Sequence, residues 1–113
     1  MANKRVLCRI KKRLTVHFGI DEAVRVAFTE DLSISGMFIK TPNVVPPGSN
    51  IIISFLLDDA IKIELNARVM WAKKVPPNLF HLIKKSGMGV KFLHFNAGAD
   101  AFKSFFASVA PSL

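Results

Sequence analysis

From Ile61 to Trp71 every second residue is apolar. Ile61, Ile63, Leu65, Ala67, Val69 and Trp71 are apolar, and Lys62, Glu64, Asn66 and Arg68 stand between them. Successive side chains of an extended strand point to opposite faces, so this pattern predicts a strand with one face on a core and the other in water. A helix would scatter the same apolar residues around its axis. Parity assigns Trp71 to the core with Val69, although a residue so near the strand's end could instead turn toward a ligand rim.

Shorter stretches repeat the pattern. Leu14, Val16, Phe18 and Ile20 face one way, Asp21 and Glu22 make a polar turn, and Val24, Val26 and Phe28 resume the alternation. That predicts a hairpin with these residues on its buried face. Residues 37–41, 50–57 and 87–92 read as further strands, the last with Met88, Val90 and Phe92 inward. Asp58 and Asp59 make a hairpin turn, prolines at 42, 46, 47, 76 and 77 interrupt the pattern, and 78–86 is a loop or irregular strand. The period then changes. Phe102, Phe105, Phe106 and Val109 form a helical stripe, predicting a helix over about 97–110. Asn96 is its candidate cap, and Gly98 would weaken the first turn by up to ~1 kcal/mol if it lay inside the helix. Short strands followed by one helix predict a mainly β fold: a six- to seven-stranded antiparallel β-barrel, with no exposed edges, and a C-terminal α-helix.

A length of 113 residues suits one domain. Residues 14–113 make that domain, and residues 1–13, with neither period, read as a flexible basic arm. The longest apolar run, Ile51 to Leu57, is far short of the ~20 residues that span a bilayer, and the start lacks the apolar block of a secretory signal. These features predict a cytoplasmic protein. One cysteine and three scattered histidines give no metal-ligand spacing. Carboxylates come as adjacent pairs in turns, and no nucleophile or nucleotide-triphosphate motif is present, so no enzyme and no cofactor are expected.

Charge points to an anionic partner. The net charge is +8, and six of sixteen basic residues lie in the first thirteen positions. Two of them, Arg9 and Arg13, stand four apart, and each guanidinium can fork onto a phosphate or the O6/N7 edge of guanine. One hairpin later comes Asp31, Ser33 and Gly36. Asp31 only accepts hydrogen bonds and suits the N1–H and N2–H donors of guanine, Ser33 can donate to a phosphate or base, and Gly36 allows close backbone approach and positive φ. Alone, each motif has an ordinary explanation: basic residues are common in the arm, and Asp, Ser and Gly serve turns. Their order and spacing together are far more specific.

These residues resemble the PilZ domain, a bacterial receptor for the second messenger cyclic di-GMP. The likeness rests on Arg9 with Arg13, on Asp31, Ser33 and Gly36, and more weakly on the stretches 68–71 and 87–92. It implies a barrel with a C-terminal helix and an N-terminal arm folding over a ligand on the barrel's outer face. Arg9 and Arg13 would take guanine and phosphate, Asp31, Ser33 and Gly36 would line a base, and Cys8 and Trp71 would be contacts of second rank. An arginine just before the first motif arginine accompanies a stacked ligand pair in such proteins, so Cys8 leans toward one ligand. The implied partners are cyclic di-GMP and a separate downstream protein, with the chain a monomer or a ligand-dependent homodimer. Two alternatives stand beside this: a ligand-free adaptor, and a small basic barrel that binds single-stranded nucleic acid. The latter wants exposed aromatic residues, whereas parity sends Phe18 and Phe28 inward.

Overall fold

The computed structural model describes residues 9–57, 60–74 and 86–109. Six strands come first: β1 (Arg9–Gly19), β2 (Arg25–Ser33), β3 (Gly36–Lys40), β4 (Asn50–Leu57), β5 (Ile61–Lys73) and β6 (Gly87–Ala97); helix α1 (Ala99–Val109) follows. The described strands close into an antiparallel barrel in the order β1-β2-β3-β6-β5-β4. The expected barrel and helix are therefore what the chain forms. Cys8, the turn at 58–59 and the loop 78–85 lie outside the described residues. Among the described residues no helix is long and apolar enough to cross a membrane.

The barrel is filled by one side of each strand. Val16, Phe18, Ile39, Ile53, Ile63, Leu65, Ala67, Val69 and Met88 are fully buried. β5 shows the predicted alternation from Ile63 to Val69, with Glu64 and Asn66 half-buried on the other face and Arg68 exposed there. α1 closes one end of the barrel. Its buried Phe102 meets Phe55, Phe92 and Phe95 with ring centroids 6.2, 5.8 and 5.2 Å away. Lys12 Nζ sits 5.6 Å from the Phe105 ring centroid, which ties the start of β1 to the helix.

Several local expectations fail, each for a physical reason. β1 begins at Arg9, so Arg9 to Arg13 belong to a strand paired with β2, where alternation had suggested a start at Leu14. On β2 the buried residues are Ala27, Thr29 and Leu32, while Val24 and Val26 are 67% and 65% exposed. The cause is the hairpin's register: Val16 pairs with Ala27 and Leu14 with Thr29, so Ala27 and Thr29 share the inner face with β1 while Val24 and Val26 point out. Further along, the pairing with β1 shifts between Lys11 and Leu14, and the next buried residue of β2 after Thr29 is Leu32. Such a shift puts unequal numbers of residues on two paired strands and changes which side chains face inward. Ile20 is also out, at the hairpin tip. At the helix, Asn96 is not the cap, since its Nδ2 donates to Asn66 Oδ1 at 3.2 Å. The Gly98 carbonyl instead accepts from Phe102 N–H at 2.9 Å, and Gly98 has φ +80° just outside the helix, where glycine costs nothing.

Candidate functional site

The β1–β2 ladder brings the two sequence motifs together. Arg9 pairs with Ser33, Ile10 with Leu32 and Lys11 with Asp31. Leu32 is buried and Ile10 packs on the core, so Lys11 and Asp31 beside them belong to the outer face. Residues about twenty apart in sequence thus become cross-strand neighbours. Arg13 is exposed further along the same edge, its guanidinium carbon 4.0 Å from the Phe28 ring centroid. That stacking spreads the guanidinium over an aromatic face and orients it.

The turn 33–36 is held from within. Ser33 is 4% exposed; its Oγ donates to the Gly36 carbonyl at 3.1 Å and accepts from the N–H groups of Gly36 at 3.1 Å and Ser35 at 3.3 Å. The hydroxyl is therefore committed to the turn. Gly36 has no positive φ; the glycines that do are Gly48 and Gly98. What Gly36 supplies is clearance, because a Cβ there would run into the Val90 carbonyl oxygen. Close approach, not turn conformation, is the reason for that glycine. At Asp31 the backbone N–H reaches Thr29 Oγ1 at 3.3 Å, while Thr29 Oγ1 bonds the Asp31 carbonyl at 3.2 Å. This pair holds the chain where the β2 register slips.

Beside Asp31 lies a depression of about 420 Å³, lined also by Phe38, Met70, Trp71 and Gly89. Trp71 is here and not in the core: it is 50% exposed and stacked on Phe38, with centroids 5.4 Å apart and planes inclined 19°. The β5–β6 register explains this. Val69 pairs with Val90 and Trp71 with Gly89, so two steps on β5 match one on β6. The slip turns both Met70 and Trp71 outward. Phe38 pairs with Gly89 from the other side, so one row runs Phe38, Gly89, Trp71. Side chains at Gly87 and Gly89 would collide with Phe38 and Trp71 respectively. The glycines make the floor on which both rings rest.

Sequence reasoning missed Phe28, Phe38 and Lys40 here. Phe28 was hidden by the hairpin register, which sets Val16 against Ala27 and so turns Phe28 outward. Phe38 had a signal: two glycines spaced by two on a strand leave a bare strip on one face, and a bare strip needs a cover. A larger hollow of about 560 Å³ at the other end of the barrel, lined by Ile20, Val24 and Pro46 among others, holds none of the motif residues. Among the described residues no group of three or more His, Cys, Asp and Glu could hold a metal ion.

The sequence profile of the PilZ domain matches residues 2–105. The chain belongs to the PilZ domain family. Among solved structures, the Bacillus subtilis inhibitor of motility MotI/DgrA superposes with a TM-score of 0.69 at 17% identity. The match covers 90% of this chain and 49% of that one, so this chain spans about half of that protein's length. At that identity the likeness speaks for the fold of this PilZ domain. No curated protein matches the sequence.

Proposed function

We propose that this PilZ domain is a non-enzymatic receptor for cyclic di-GMP. The observation that carries the reading is the β1–β2 register, which sets Arg9 opposite Ser33 and Lys11 opposite Asp31. An anionic, guanine-bearing ligand at this edge meets guanidinium forks from β1 and a carboxylate acceptor from β2. Arg9 and Arg13 bind phosphate and the O6/N7 edge of guanine. Asp31 takes the N1–H and N2–H edge from the rim of its depression. Ser33 fixes the turn that holds the ligand's edge, Gly36 lets that turn lie close against β6, and Trp71 supplies an aromatic wall. The segment ahead of β1 closes over the bound dinucleotide, and the closed surface is what a separate protein partner recognises.

Calorimetric titration with cyclic di-GMP tests this. Saturable binding is expected, with Arg9→Ala and Arg13→Ala each weakening it by ~1.5–3 kcal/mol through lost charge-assisted bonds. Wild-type affinity in both variants, or no heat in the wild type, would overturn the reading.

A further inference from the structure

The outer face of β2, β3, β6 and β5 carries more charge than a cyclic dinucleotide can use. One row across it runs Phe28, Lys40, Gly87 and Lys73, and another runs Gly36, Lys91 and Arg68. Between them lies the row of Phe38, Gly89 and Trp71. Lys73, Lys91 and Arg68 are exposed, and Lys40 is half-buried with its Nζ 5.8 Å from the Phe28 ring centroid. Arg68 Nε also donates to Asn50 Oδ1 at 3.4 Å on the surface. Among the described residues, the carboxylate that borders these rows is Asp31, beside the Phe38 and Trp71 rings. Beyond Arg13, which the dinucleotide reading uses, this makes four cations spread around three outward aromatic rings. Three strand spacings give the row a width of roughly 14 Å, enough for more than one nucleotide of an open strand.

The objection to nucleic acid in the sequence was that its aromatic residues should face inward. The structure removes that objection: the β5–β6 slip brings Trp71 to the surface, and the pairing of Val16 with Ala27 leaves Phe28 on the outer face near Lys40. Stacking of bases on such rings is sequence-tolerant, and flanking cations track the backbone. We propose that this face binds single-stranded nucleic acid, with a base on Trp71 and phosphates along Lys40, Lys73, Lys91 and Arg68.

The test uses the whole chain and a fluorescein-labelled oligothymidylate of about 15 nucleotides, followed by anisotropy at several salt concentrations. Expected is binding at about 50 mM salt whose log–log salt slope is near −3, as for four to five neutralised phosphates on a single strand. The oligonucleotide should quench Trp71, which is the chain's single tryptophan. Trp71→Ala should lose about tenfold in affinity at unchanged slope, and Trp71→Phe should retain most of it. Joint Lys73→Ala and Lys91→Ala should flatten the slope by roughly 1.4 and leave cyclic di-GMP affinity intact by calorimetry. That last arm separates this site from the dinucleotide reading, since either can fail alone. No anisotropy change at low salt would overturn the proposal. So would binding indifferent to both sets of variants, which would assign it to net charge. Loss of both ligands in the lysine variant would overturn it as a separate site. Capture by phosphatidylglycerol vesicles without oligonucleotide binding would assign the face to a membrane instead.

Discussion

Gly36 and Gly89 look alike in sequence and differ in what their missing side chains protect. At Gly36 the obstacle is backbone, the Val90 carbonyl on β6. Strands cannot separate without losing their ladder, so Gly36→Ala should destabilise the domain by roughly 1–3 kcal/mol in urea denaturation. At Gly89 the obstacle is the Trp71 indole, a half-exposed side chain that can swing away. Gly89→Ala should therefore leave stability nearly unchanged and shift the fluorescence of Trp71; an equal loss of stability in both variants would refute the distinction. Asp31 tests ligand choice at the same scale. A carboxylate reads guanine's N1–H and N2–H donors, which adenine does not offer as a pair. Asp31→Ala should thus cost cyclic di-GMP more affinity than its adenine counterpart, as compared by parallel titrations. Equal affinity of both ligands for the wild type would remove guanine readout from this residue.

Among the elements, α1 and β2 show opposite relations between pattern and packing. The stripe of Phe102, Phe105 and Phe106 predicts the packed face of α1, because one helix face meets one surface. Phe102 is 1% exposed and touches rings from β4 and β6. Phe102→Ala should cost about 3–5 kcal/mol by opening a cavity that several rings cannot fill, seen as a lowered urea midpoint. A loss below 1 kcal/mol would mean the helix contributes little to closing the barrel. On β2 the same kind of reading fails. Its neighbours β1 and β3 each slip relative to it, and hydrogen bonds to both decide which residues point inward. The alternation of Val24, Val26 and Phe28 is real, but the pairing of Val16 with Ala27 turns it outward.

For the whole molecule, receptor function implies linkage. A ligand that binds the folded chain alone stabilises it by RT ln(1 + [L]/Kd), about 2.7 kcal/mol at a hundredfold excess over Kd. For a domain of this size that should raise the melting temperature by roughly 10 °C. Thermal scans with cyclic di-GMP should show the rise, and joint Arg9→Ala and Arg13→Ala should abolish it. A flat response in the wild type would fit an adaptor that reads no dinucleotide.

The sequence by itself determined the strand and helix periods, most of the buried set and the order of the two motifs. Those are local properties: side-chain alternation follows from an extended backbone, and a stripe follows from a helical one. It also determined which groups could meet guanine and phosphate, since that depends on donor and acceptor chemistry. Only the tertiary structure decided where strands slip. Register is set by hydrogen bonds between segments far apart in the chain, such as Trp71 with Gly89 and Arg9 with Ser33. The β5–β6 slip moved Trp71, and the unshifted pairing of β1 with β2 moved Phe28, from the expected core to the outer face. Strand pairing also gave Gly36 its close contact with β6 and set the two motifs side by side across β1 and β2.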